Sequence, residues 1–149
     1  MISIALYKPD IPQNTAAIIR LSACFTMKVH IIEPCGFSLD DSRFKRVVMD
    51  YLGYSNIIRY DDFDQFKKKN IKSRIILMTT KSKKNYHKFM FEKNDILLFG
   101  RESAGVPKNI HNVLKNKLKI PINKKTRSLN VAMSAAIVSA EALKQKKLF

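Results

Sequence analysis

Short apolar runs alternate with segments of helical periodicity along the whole chain. Six runs rich in isoleucine, leucine and valine predict buried strands, at 2–7, 29–33, 56–60, 74–80, 95–100 and 117–122. Between them lie five segments predicted to be helical, at 14–25, 42–52, 62–69, 108–115 and 128–146. The alternation predicts an α/β fold, with a mostly parallel sheet and helices on both faces.

The length and composition favour one domain over residues 1–149. A chain of 149 residues, 46% of them hydrophobic, lies near the common domain length and well above the disordered range. No linker, repeat or change of composition divides it. The apolar runs are far shorter than a membrane span, and the first residues do not resemble a signal peptide. We therefore expect a cytoplasmic protein with no membrane partner.

A strong positive charge narrows the choice of partners. The chain has 28 Lys and Arg against 12 Asp and Glu, a net charge of +16, which attracts polyanions such as RNA, DNA or an anionic membrane surface. The cations cluster at 67–74, 81–88, 115–127 and 144–147. The alternative is a coding bias that spreads lysine over a solvated surface.

Several kinds of chemistry lack their sequence signature. The first helix does not begin with a glycine-rich dinucleotide loop, and neither a P-loop nor a hydrolase nucleophile elbow is present. Two cysteines without a Cys/His cluster fit a reducing compartment and predict no metal site. The three histidines are scattered, which is more typical of structural or surface positions; they are His30, His87 and His111.

Two apolar runs end in polar turns, and such turns at the carboxyl ends of parallel strands are where open α/β proteins bind ligands. One turn lies within 99–107 and the other within 127–130. Two of the four glycines, Gly100 and Gly105, fall in the first turn, where they allow close approach or a positive φ. The last helix carries many small residues, which permit close packing against the sheet or a partner helix.

Three segments of the chain resemble the three motifs of the SPOUT-superfamily RNA 2′-O-ribose methyltransferases. They are Pro9–Arg20, Leu98–Pro107 and Ile120–Asn130. The opening 5–15 and the segment 31–37 are similar to the TrmL family, which methylates the ribose of tRNA nucleotide 34, a cytidine or modified uridine. The resemblance implies a C-terminal deep trefoil knot, a homodimer, S-adenosylmethionine as cofactor and the tRNA anticodon arm as partner, with no separate RNA-binding domain.

The same resemblance implies a set of site residues. The catalytic candidates are Arg20, Asn14, Glu102 and Asn130, and the cofactor-binding candidates are Met78, Gly100, Ile120, Ile122, Ser128 and Leu129. Arg20 would assist removal of the 2′-OH proton or position a substrate phosphate. Asn14 and Glu102 would each orient either Arg20 or the loop after the fifth strand. The residues themselves place Ser128 and Asn130 at the beginning of the last predicted helix, where a side-chain oxygen can cap free N–H groups or reach the ligand. The structural alternatives are helix caps at Asn14 and Ser128, a salt bridge made by Arg20 and a solvated carboxylate at Glu102.

Two alternatives to this function remain open. The enzyme could 2′-O-methylate another tRNA or rRNA position, or the chain could be a non-catalytic RNA-binding homologue. Some TrmL members have an aromatic residue in the last helix near the active site, whereas this chain has none there before Phe149. A catalytic role of such an aromatic side chain therefore does not transfer to this protein.

Overall fold

The computed structural model describes residues 1–148 and contains every predicted strand and helix. Phe149 lies outside the described residues. The strands are β1 Ser3–Tyr7, β2 Lys28–Ile32, β3 Asn56–Tyr60, β4 Arg74–Met78, β5 Asp95–Phe99 and β6 Asn116–Leu118. The α-helices are α1 Pro12–Cys24, α2 Ser42–Leu52, α3 Phe63–Lys69, α4 Lys108–Val113 and α5 Val131–Gln145, and a short 3-10 helix covers Tyr86–Lys88. No helix within 1–148 combines the length and apolar character needed to cross a membrane.

All six strands form one sheet in the order β3-β2-β1-β5-β4-β6. Each neighbouring pair is parallel. β1 and β5 lie at the centre, where every residue of both strands is buried. The parallel arrangement brings the carboxyl ends of β1, β5 and β4 to the same edge of the sheet, and this edge carries the candidate site.

Alternating side chains of the sheet build two cores, one on each face. On one face, Ile4 and Leu97 pack with apolar residues of α1 and α5. On the other, Ala5 and Leu98 pack with apolar residues of α3 and α4. The helix α2 adds a smaller cluster against α1 through Phe44 and Val48. The prediction of a parallel sheet with helices on both faces is confirmed.

The small residues of α5 allow this helix to approach the protein's own fold closely. Ala135 and Ala142 are fully buried in the core that includes β1 and β5, and α5 contacts both α1 and β5. Packing within one chain therefore accounts for the small side chains of Ala135 and Ala142.

The boundaries near the site differ from the predicted ones. β4 ends at Met78 and β6 at Leu118, so the rest of each predicted strand, 79–80 and 119–122, lies in a loop. The last helix begins at Val131, and its cap is Asn130, whose side chain accepts hydrogen bonds from the amides of Ala132 and Met133. The prediction that Ser128 begins this helix was wrong, because either Ser or Asn suits a cap and periodicity does not choose between them.

Candidate active site

A cavity of about 480 Å³ opens at the carboxyl edge of the sheet, beside the ends of β4 and β5. Its size falls within the ordinary range of small-molecule sites. Nine of the ten candidate residues line it. Met78 lies at the end of β4, and the other eight come from all three motif segments: Asn14, Gly100, Glu102, Ile120, Ile122, Ser128, Leu129 and Asn130. Folding thus brings together residues that are more than a hundred positions apart in sequence.

Glu102 joins the β5–α4 loop to the start of α1. Its Oε2 accepts a hydrogen bond from the amide of Asp10 at 2.8 Å, and its Oε1 accepts bonds from the Ile11 amide at 3.4 Å and from Asn14 Nδ2 at 3.2 Å. The carboxylate therefore ties the β5–α4 loop, in which Glu102 lies, to the β1–α1 loop. None of these contacts involves Arg20.

Asn14 and Asn130 extend this connection to α5. Asn130 Nδ2 donates to Asn14 Oδ1 at 2.9 Å, while Asn130 Oδ1 caps the first turn of α5. Asn14 lies inside α1, and its side chain donates to Glu102 and accepts from Asn130. The chain of contacts from Glu102 through Asn14 to Asn130 couples three loops at one wall of the cavity.

A second connection was not predicted from the sequence. Asp10 Oδ1 accepts from the guanidinium of Arg101, including its Nε at 3.1 Å, and Asp10 Oδ2 accepts from the Ser103 hydroxyl at 2.5 Å. The hydrogen bond from Arg101, followed by that from Ser103, lowers the pKa of Asp10 to about 2. Asp10 is therefore ionised at neutral pH. The only sequence signal for this role was the position of Asp10 within the first motif segment.

Gly100 and Gly105 allow the backbone conformation of the β5–α4 loop. A Cβ on Gly100 would lie 2.5 Å from the carbonyl carbon of Gly105, and Gly105 has a φ of +66°. Two backbone hydrogen bonds between Arg101 and Gly105 close this turn. The positive φ expected in this segment is present at Gly105, whereas the close approach at Gly100 is to the loop backbone.

Arg20 lies apart from the cavity lining. It is exposed on α1, and its guanidinium carbon lies 5.0 Å from the centre of the Tyr51 ring on α2. Asn14 and Glu102 were expected to orient either Arg20 or a loop. Their described side-chain hydrogen bonds all go to the loops and to each other, and none goes to Arg20. A guanidinium over an aromatic face is a stable resting position that leaves its N–H groups available.

His111 also lines the cavity, although its sequence context suggested only a structural or surface position. Its Nε2 is buried and has no hydrogen-bond partner within residues 1–148. The histidine comes from α4, and nothing in the local periodicity marked it. It adds a polar atom to a cavity whose other walls include the apolar side chains of Met78, Ile120 and Ile122.

The cavity combines apolar walls with polar loop edges, which suits a ligand with a flat apolar base and several polar groups. Residues 1–148 contain no cluster of three or more side chains able to hold a metal ion. Residues 1–140 match the SpoU rRNA Methylase family, and the chain belongs to that family.

Relatives of known name extend the comparison to nearly the whole chain. The tRNA (cytidine(34)-2'-O)-methyltransferase of Beijerinckia indica is 45% identical over 144 residues, which cover 95% of this chain and 90% of the relative. The enzyme of the same name from Escherichia coli strain K12 is 36% identical over 147 residues, covering 97% and 94%.

Solved structures agree with this relationship. A protein described in a study of the 2-OH methylation of C/U34 on tRNA superposes with a TM-score of 0.93 at 31% identity, covering 99% of this chain and 97% of the other. An AdoMet-bound rRNA methyltransferase from Sinorhizobium meliloti shares the fold, with a TM-score of 0.86 at 20% identity and coverage of 96% and 56%.

Proposed function

We propose that this protein transfers a methyl group from S-adenosylmethionine to the ribose 2′-OH of nucleotide 34 of tRNA, a cytidine or modified uridine. The observation that carries the proposal is the assembly of all three motif segments around one cavity. The chain also aligns over nearly its full length with enzymes named for that reaction.

The cavity residues suit the cofactor's chemical parts. When bound, S-adenosylmethionine supplies an electrophilic methyl group on a sulfonium. The side chains of Met78, Ile120 and Ile122 would flank its adenine, while the exposed loop at Ser128 and Leu129 would offer polar backbone groups. Gly100 would support this site by allowing the tight turn beside it. The unpartnered Nε2 of His111 offers a further hydrogen-bonding atom.

Methyl transfer requires the 2′-OH to lose its proton while it lies in line with the methyl group. We propose that Glu102, Asn14 and Asn130 hold the loops in the geometry that this alignment needs, because they are joined by hydrogen bonds. Arg20 would position a substrate phosphate near the 2′-OH. A guanidinium stays protonated in proteins, so its planar N–H groups suit anion binding better than proton abstraction.

Three further properties belong to this proposal: a trefoil knot, a homodimer and a cytoplasmic location. The knot is implied by the resemblance of the three motif segments, and the membership of the chain in the SpoU rRNA Methylase family supports it. Support for a dimer comes from exposed apolar side chains near α1 and α5, which are Ile11, Leu129 and Met133.

The proposal is tested by incubating the protein with S-adenosylmethionine and a pool of unmodified and native tRNAs, followed by mass-spectrometric mapping of ribose methylation. A methyl group at position 34 is the expected result. Methylation elsewhere would replace the substrate assignment while keeping the reaction. Absence of both methylation and calorimetric cofactor binding would refute the enzyme proposal and favour a non-catalytic RNA-binding protein.

The role of Arg20 has its own test. Arg20→Lys preserves the charge and removes the planar fork, so we expect a large loss of turnover with cofactor affinity unchanged. Arg46→Lys, at an exposed position on α2, is the matched control and should retain normal turnover. Equal turnover in both variants would exclude a specific role of the Arg20 guanidinium.

A further inference from the structure

Two lysine-rich loops meet at the rim of the cavity. The loop 79–85 follows β4, and the loop 119–127 follows β6. The amide of Lys119 donates to the carbonyl of Lys84, and the amide of Tyr86 donates to the carbonyl of Lys119 at 2.9 Å. These hydrogen bonds join loops that are far apart in sequence into one surface. Its six exposed cations are called here the basic rim: Lys81, Lys83, Lys84, Lys124, Lys125 and Arg127.

The charge of the basic rim is not compensated by acidic residues. No Asp or Glu occurs between Asp64 and Glu92, or between Glu102 and Glu141. The ion pairs within residues 1–148 involve other cations, and none joins a carboxylate to the basic rim. The positive charges that these two joined loops carry repel one another, so an anionic partner that bridges the loops would relieve this repulsion.

The position of the basic rim relates it to the candidate active site. Lys81 itself lines the cavity, and Arg127 immediately precedes Ser128, another lining residue. The loop 119–127 is also shaped by its own contacts, since Asn123 Oδ1 accepts from the Lys125 amide at 2.9 Å. A polyanion bound on the basic rim would therefore lie directly beside the cavity mouth.

We propose that the basic rim binds the sugar–phosphate backbone of the RNA substrate next to the nucleotide that is methylated. Five of its six cations are lysines, which act as flexible point charges and bind phosphates without reading a base. The two loops expose no large apolar side chain that could anchor the surface in a membrane. This inference rests on the proposed function and assigns the substrate contact to a particular surface.

The test compares two triple variants of the full-length protein with equal loss of charge. Lys83→Gln/Lys124→Gln/Lys125→Gln removes exposed cations from both loops and leaves the cavity lining intact. The control, Lys67→Gln/Lys68→Gln/Lys72→Gln, removes exposed cations from the last turn of α3 and from the turn that leads into β4. Because the strands are parallel, that turn lies at the amino edge of the sheet, opposite the cavity.

The readouts are the Kd for a tRNA transcript over a series of salt concentrations and the calorimetric Kd for S-adenosylmethionine. For the rim variant we expect tRNA affinity to fall about 100-fold at 0.1 M salt. The slope of log K against log salt should become shallower by about two, because each of the three lost phosphate contacts contributes roughly 0.7 to it. The control should change tRNA affinity far less, and cofactor affinity should stay constant in both variants.

Equal losses in the two triple variants would overturn the proposal, because net charge alone would then explain binding. Loss of binding to anionic phospholipid vesicles with tRNA binding intact would overturn it in favour of a membrane surface. If the rim variant also loses cofactor affinity, Lys83→Arg/Lys124→Arg/Lys125→Arg decides: restored tRNA binding supports the proposal, and unrestored binding refutes it.

The outcome is distinguishable from failure of the proposed function. If the wild type methylates nucleotide 34 and both triple variants lose tRNA affinity equally, the proposed function stands and the assignment of the basic rim as the RNA-binding surface is refuted. A selective loss of RNA affinity in the rim variant, without methylation by the wild type, would keep the surface and reject the function.

Discussion

Replacement of Gly100 by alanine should disrupt the loop beside the cavity. The added Cβ would lie 2.5 Å from the carbonyl carbon and 2.6 Å from the Cα of Gly105, and 2.9 Å from the amide nitrogen of Val106. Carbon atoms prefer separations of about 3.5–4.0 Å, so the loop backbone must move by about 1 Å. All three of these atoms belong to the backbone of Gly105 and Val106, so no flexible side chain can move away instead.

The cost of Gly100→Ala follows from this geometry. Overpacking costs about 1–3 kcal/mol, and the displacement also strains the two hydrogen bonds between Arg101 and Gly105, at 2.9 and 2.8 Å. We expect a loss of about 2 kcal/mol in the free energy of unfolding. Because the same loop lines the cavity, a distortion of similar cost would weaken cofactor binding by about 30-fold.

Gly53→Ala is the matched control. A Cβ on Gly53 would meet no atom within 4 Å, and its φ of −65° and ψ of −20° suit alanine. This change should leave stability unchanged or raise it by about 0.4–1 kcal/mol. Urea unfolding followed by circular dichroism suits a chain without tryptophan, and calorimetry gives the affinity for S-adenosylmethionine. Wild-type stability and affinity in Gly100→Ala would refute the steric reasoning.

Three further changes test the contacts around the site and core. Burial, followed by the charge of Lys28, lowers the pKa of His30 to about 4 from 6.5. The folded state favours the neutral imidazole, so the contribution of His30 to stability is complete above pH 6.5 and declines as the pH falls. We expect the free energy of unfolding to decrease by about 3 kcal/mol by pH 4. This part of the pH dependence, measured by urea unfolding, should be absent in His30→Gln. Asp10→Asn should weaken the hold on Arg101 and speed hydrogen exchange at the Ser103 amide, which donates to Asp10 at 3.2 Å; unchanged exchange would contradict this role. Asn130→Ala should lower the free energy of unfolding by about 1 kcal/mol through the lost helix cap, whereas Asn130→Asp should keep the cap. Equal destabilisation of the two variants would show that loss of the cap is not the cause.

The site residues divide according to the kind of information that identifies them. The loop at Gly100 and Glu102 could be predicted because an apolar strand ends there in a run of turn-forming and polar residues. The pairing of Asp10 with Arg101 could not, because those residues lie in two different motif segments, 91 positions apart, and no pattern within either segment couples them. Arg20 shows the same limit: its motif indicated a site residue, but its resting contact with Tyr51 depends on how α1 packs against α2.

By itself, the sequence determined the alternation of six strands with five helices and the parallel α/β class. Those properties arise from short apolar runs and from a helical period of about 3.6 residues, each visible within a single segment. The tertiary structure alone decided the strand order β3-β2-β1-β5-β4-β6, the choice of Asn130 as the cap of α5 and the joining of two lysine-rich loops at the cavity. These features depend on which distant segments share a core and satisfy one another's hydrogen bonds, and no local pattern along the chain encodes that pairing.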